Sequence, residues 1–146
     1  MAKTPVLVAG AGSWGTALAL VLARNQHPVF LWDNNTGHIT QLQQSRRNDL
    51  HIPGVAFPDE IQPIADLQEC RGTIRDVVIA VPCSGLLELL SQLAAWREQD
   101  FNFCLACKGF APGDRVLNHE VVKSIMNDRA HIAVLSGPSF AGEVAR

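Results

Sequence analysis

The hexapeptide Gly10-Ala11-Gly12-Ser13-Trp14-Gly15 follows the apolar run Pro5-Val6-Leu7-Val8-Ala9 directly and leads at once into the amphipathic stretch Thr16–Arg24. Few chains can place three glycines between a strand and a helix in this way. Gly10 permits a tight turn, Gly12 has no side chain to keep phosphates from the backbone, and Gly15 lets the helix pack close to the strand. A helix beginning there offers unpaired N–H groups and the positive end of its dipole to an anion. The competing reading is a purely structural Gly-rich turn, and the flanking strand and helix argue against it. The expectation is a pyrophosphate site at Gly10, Gly12 and Gly15, part of a dinucleotide-binding unit.

The rest of the chain repeats the strand–helix alternation. Strands are expected at Val29–Trp32, Ile61–Ile64, Asp76–Val81, Phe101–Cys107 and His131–Leu135. Helices are expected at Thr36–Ser45 (capped by Thr36), Ala65–Cys70, after Ser84 as a cap, at Val116–Met126, and from Phe140 to Arg146. Arg46–Pro63 contains Pro53-Gly54 and Pro58 and reads as a surface excursion. Alternation of this kind implies an α/β fold, a Rossmann-type doubly wound, mostly parallel sheet with helices on both faces. The 146 residues suit one such domain with a real core.

A net charge of −2 gives no electrostatic case for nucleic acid. No apolar run is long enough to span a bilayer, and Met1–Pro5 leads into a strand rather than a cleavable signal. The expected compartment is the cytoplasm, with no stable membrane insertion.

Ligands of doubly wound sheets sit outside the carboxyl ends of the strands. Five such ends carry distinctive residues: Gly10, Asp33-Asn34, Pro82-Cys83, Lys108-Gly109 and Ser136-Gly137-Pro138-Ser139. An acidic residue about 20 positions beyond the glycine turn accepts hydrogen bonds from a ribose and repels the extra phosphate of NADP. Asp33 fits that description, and no Arg or Lys follows it until Arg46. The expectation is a preference for NAD; the alternative is a strand-end Asp that caps a turn. Lys108 is placed to meet a phosphate or polarise a carbonyl, or else is a solvated surface lysine. Around Ser136–Ala141, backbone amides bind an anion or a ribose, or Pro138 is simply the first helical residue with Gly137 as its cap.

Cys104-Leu105-Ala106-Cys107 has the spacing of a redox or metal pair, but inside a strand residues three apart point to opposite faces. The four cysteines, including Cys70 and Cys83, are expected to be reduced and mostly buried, and no metal site is expected. The five histidines show no ligand spacing and are read as structural or exposed.

Together these motifs resemble one family. Gly10–Ala19, Leu31-Trp32, Val81-Pro82, Cys107-Lys108-Gly109 and Leu135–Ala141 are similar, in order and spacing, to the bacterial NAD(P)-dependent sn-glycerol-3-phosphate dehydrogenases. The resemblance covers essentially the whole chain. It implies reduction of dihydroxyacetone phosphate, a phosphorylated triose, to sn-glycerol 3-phosphate for phospholipid synthesis, with NAD or NADP as cofactor. It implies that Ser13, Trp14, Asn34 and Ala141 contact the cofactor, with Pro82 on the same rim. Lys108 is shared between cofactor and substrate, and Gly137 and Ser139 lie on the substrate side. Two departures stand out. Asp33-Asn34 lacks the basic residue that often helps NADPH binding, and Cys83 replaces a common serine.

The family carries a second, helical domain that supplies the general acid/base lysine. Residues 1–146 are therefore expected to be the cofactor-binding half of a longer enzyme, with no catalytic residue of their own. Alone, the chain is expected to bind NAD(H) and turn over negligibly. A homo-oligomer through the second domain is compatible with this reading. Two alternatives remain open: another hydroxy-acid dehydrogenase on the same fold, and a non-catalytic nucleotide-sensing module.

Overall fold

The computed structural model describes residues 2–107, 109–110, 113, 115–137 and 139–146, so Lys108 and Pro138 lie outside the described residues. Six strands form one sheet: β1 (Val6–Ala9), β2 (Val29–Trp32), β3 (Ile61–Ile64), β4 (Asp76–Ile79), β5 (Phe101–Leu105) and β6 (Ala130–Val134). Their order is β3-β2-β1-β4-β5-β6, and every pairing is parallel. The helices are α1 (Ser13–Arg24), α2 (Thr36–Ser45), α3 (Leu86–Ala94), α4 (Asn118–Met126) and α5 (Ala141–Ala145). The chain winds outward from β1 through β2 to β3, then returns to the other side of β1 for β4. A crevice opens at that reversal, outside the ends of β1 and β4.

Side-chain alternation along the strands sorts the core into two layers. Leu7, Ala9, Val77, Ile79, Phe101, Phe103 and Leu105 point to the layer built with α3 and α4. Val8, Val29, Leu31 and Ile61 point to the layer built with α1, α2 and α5. Both faces of β1 are thus covered, which is why its four residues are all apolar and buried. In α3, Leu86, Leu89, Leu90 and Leu93 recur at helical spacing and are buried. Each contributes about 1.5–3 kcal/mol of burial.

The expected elements are present, with shifted ends. β4 stops at Ile79 rather than Val81, and β5 stops at Leu105 rather than Cys107. There the Ala106 and Cys107 amides both donate to Ile79 O, at 2.9 and 3.1 Å, so the ladder no longer advances. Asn35, not Thr36, caps α2: its Oδ1 accepts the His38 amide at 3.0 Å. Ser84 does not cap α3 but lies in a 3-10 turn, Cys83–Gly85. Leu67–Cys70 is likewise a 3-10 turn, capped by Asp66. α4 begins at Asn118, where the Glu120 carboxylate accepts the Leu117 amide at 3.1 Å.

Arg46–Pro63 departs most from expectation. Instead of running over the surface, it buries Asn48, Ile52 and Phe57. Arg46 takes a left-handed turn (φ 55°), and its guanidinium donates to Pro58 O and Ile61 O at 2.9 and 2.8 Å. Among the described residues, no helix is long and apolar enough to cross a membrane.

Candidate functional site

The three glycines of the first turn do different work. Gly10 has φ +115°, and a Cβ there would stand 2.6 Å from the Ala80 carbonyl. A Cβ on Gly15 would stand 1.7 Å from Gly10 O, so this glycine allows α1 to sit on the turn. A Cβ on Gly12 would meet nothing within 4 Å. Gly12 lines an open cleft of about 660 Å³, within the usual size of a small-molecule site. It is also the N-cap of α1 and brings no side-chain hydrogen bond, so the first-turn amides are left for another partner.

The turn itself is held by the three side chains that converge on Ala11. The Asp33 Oδ2 accepts the Ala11 amide at 2.9 Å, while Oδ1 accepts the Asn35 amide at 2.9 Å. The carbonyl of Ala11 accepts from Asn48 Nδ2 at 2.9 Å and from His38 Nε2 at 3.2 Å. Because a carbonyl only accepts, His38 carries a proton on Nε2. Asn48 is buried and also donates to Thr16 Oγ1 at 2.8 Å.

The cleft walls come from four strand ends and from α2 with the loop that follows it. Gly10, Gly12, Ser13, Trp14, Asp33 and Pro82 all stand on them, as the sequence suggested. Gly15 lies beneath. Asn34 opens onto a smaller depression with Glu88, which shares Asp33, Val81 and Pro82 with the main cleft. Ala141 starts α5 and packs into the layer shared with α1. Ser139 is exposed, Gly137 is half-buried, and neither lines the cleft. Lys108 lies outside the described residues.

His38 and His51, read as structural or exposed, stand on the cleft wall with Leu50. Their rings meet edge-to-face with centroids 5.7 Å apart, and His51 Nδ1 lies 3.5 Å from Ser13 Oγ. Motif spacing carried no signal for them. No disulfide joins the four cysteines; Cys70 is buried, but Cys83, Cys104 and Cys107 are only half-buried, against the expectation of mostly buried thiols. Burial, followed by its neighbour Cys83, pushes the Cys107 thiol up to about 11. No cluster of three or more metal-ligating side chains occurs among the described residues.

The family profile described as NAD-dependent glycerol-3-phosphate dehydrogenase N-terminus matches residues 5–146. The chain belongs to this family. The glycerol-3-phosphate dehydrogenase [NAD(P)+] of Nitrosococcus oceani is 41% identical over 138 residues, covering 94% of this chain and 40% of the relative. That of Bartonella henselae is 40% identical over 145 residues, covering 99% of this chain and 43% of the relative. The crystal structure of the Coxiella burnetii glycerol-3-phosphate dehydrogenase superposes with a TM-score of 0.92 at 36% identity. It covers 99% of this chain and 44% of that one. The chain thus spans about two fifths of the length of its curated relatives. The cleft at the β1/β4 reversal combines an open glycine cradle, an uncapped helix start and a carboxylate at the end of β2.

Proposed function

We propose that this chain is the cofactor-binding part of an NAD(P)-dependent sn-glycerol-3-phosphate dehydrogenase. The observation that carries this reading is the open cradle at Gly12, where a Cβ would meet nothing, in front of the uncapped start of α1. When bound, the nicotinamide cofactor supplies hydride transfer to or from the substrate carbon. The amides of the first α1 turn would hold the pyrophosphate oxygens, and the clamp on Ala11 keeps those amides aimed. The β4 and β5 ends, Ala80–Cys83 and Ala106-Cys107, would wall the other half of the site against water.

Titration of NADH fluorescence tests this reading. Saturable one-to-one binding that is lost in Gly12→Val, with the fold intact by circular dichroism, is expected. Absence of binding by the folded protein overturns it.

We infer a preference for NAD over NADP. Asp33 places a carboxylate on the cleft wall, and the described walls carry no Lys or Arg to meet a 2′-phosphate. NADPH binding as tight as NADH overturns that preference.

The resemblance also supports roles for Lys108, Gly137 and Ser139 on the substrate side and for Asn34 and Ala141 toward the cofactor. On the same reading the proton donor is a lysine of a helical domain outside residues 1–146. Lys108→Ala, in a protein carrying that domain, is expected to lower kcat/KM for dihydroxyacetone phosphate; an unchanged value overturns the assignment.

A further inference from the structure

Two thiols at the inner end of the cleft are neighbours only because the chain is folded. Cys83 follows β4 and Cys107 follows β5, and the parallel pairing of these strands sets their ends side by side. Both residues line the cleft. Both sulfurs take a hydrogen bond from one atom, Asn118 Nδ2, at 3.3 and 3.6 Å, which holds them side by side. Asn118 is buried, with its Oδ1 unpartnered, so this amide is packed against the sulfurs rather than turned to solvent. The pair suggested by sequence spacing is excluded by the same geometry. Cys104 stands on the opposite face of β5 from Phe103 and Leu105, while Cys107 packs against the layer those two residues build.

We propose that Cys83 and Cys107 form a reversible disulfide when the protein meets a hydroperoxide, closing the inner end of the cleft to a dinucleotide. The closure rests on the cofactor reading above; the disulfide does not.

The Cys83 thiolate attacks the outer oxygen of the hydroperoxide. The O–O bond breaks, Cys83 becomes a sulfenic acid, and the remaining alkoxide or hydroxide takes a proton from water. The Cys107 sulfur then attacks the sulfenic sulfur. The S–S bond forms, the S–O bond breaks, and the oxygen leaves as water with the Cys107 proton. Two thiols lose two electrons in all, and the hydroperoxide gains them. An added dithiol reverses the bond by exchange. Burial holds the Cys107 proton to about pH 11, which suits it to the second step rather than the first.

The test is hydrogen peroxide treatment of the purified protein, followed by denaturation, alkylation and mass spectrometry. The loss of two of the four alkylation sites is expected, restored by dithiothreitol treatment before alkylation, with a peptide map joining Cys83 to Cys107. Cys83→Ser and Cys107→Ser should each abolish the loss, and Cys104→Ser should keep it. A Cys104–Cys107 linkage, or four alkylatable thiols after treatment, overturns the disulfide. NADH titration of the reduced and oxidised forms separates the second clause. Binding about tenfold weaker after oxidation supports closure, and equal affinity overturns it. A reduced protein that binds no NADH overturns the cofactor reading, while the mass result judges the disulfide by itself.

Discussion

Asn48 donates its side-chain amide to Ala11 O at 2.9 Å, and so ties the loop after α2 to the middle of the glycine turn. The bond is buried, and the same nitrogen reaches Thr16 Oγ1 on α1 at 2.8 Å. Asn48→Ala removes both bonds and leaves Ala11 O with His38 alone. Buried hydrogen bonds left half-made cost about 1–3 kcal/mol. Urea unfolding is expected to show a loss in that range, accompanied by weaker NADH binding because the turn is less firmly held. A variant as stable as the parent would show that the loop is held by Ile52 and Phe57 instead.

The unequal roles of the glycines predict an unequal response to alanine. Gly15→Ala sets a methyl 1.7 Å from Gly10 O, and Gly10→Ala combines a close carbonyl with φ +115°. Each should cost about 1–3 kcal/mol or more, since backbone rather than a pliable side chain must move. Gly12→Ala meets no atom, so stability should stay within about 0.5 kcal/mol. NADH affinity should nevertheless fall by about tenfold, because the methyl projects where a phosphate would approach. Thermal melts and titrations of the three variants separate fold from binding. Equal losses of stability in all three would contradict the assignment.

The legible parts of this protein were those set by local pattern. β1 and β4 announce themselves as apolar runs, and the glycine turn lies between its strand and helix in sequence as in space. The Asp33 signal was readable, but of its two readings the structure describes the turn-capping one: the carboxylate accepts the Ala11 and Asn35 amides. Asn48, His38 and His51 were not legible as a group. Their convergence depends on the path of Arg46–Pro63, and that path is decided by where Ile52 and Phe57 find core to enter. The Cys83–Cys107 pair was hidden for a related reason. Strand pairing made it, and the conspicuous spacing from Cys104 to Cys107 pointed to the wrong partner.

Asp33 offers a test of how the clamp and cofactor choice are linked. Asp33→Asn keeps an oxygen to accept one backbone amide but removes the charge. Affinity for NADPH should rise relative to NADH, because a 2′-phosphate no longer meets a carboxylate. Asp33→Ala removes both acceptors, so affinity for both cofactors should drop together, along with about 1–3 kcal/mol of stability. Identical cofactor ratios in the parent and Asp33→Asn would show that the charge plays no part in discrimination.

Alkaline pH should loosen the fold through its buried thiols. Burial pushes Cys70 from the ordinary 9.0 up to about 12, against a smaller opposing effect of its own backbone hydrogen bonding. In the unfolded chain the thiol ionises near 9, while in the native state it keeps its proton. Between those values the native state binds more protons, so stability falls as pH rises. The contribution is complete below about pH 9 and gone by about pH 12. Cys107, raised to about 11, acts in the same direction over a narrower window. Unfolding free energies measured in urea at about pH 8 and about pH 10 should therefore decline in the parent. Cys70→Ala should begin lower, from lost packing, and decline less steeply. If the two proteins lose stability at the same rate across that window, the buried thiol at the end of the Leu67–Cys70 turn is not the group responsible.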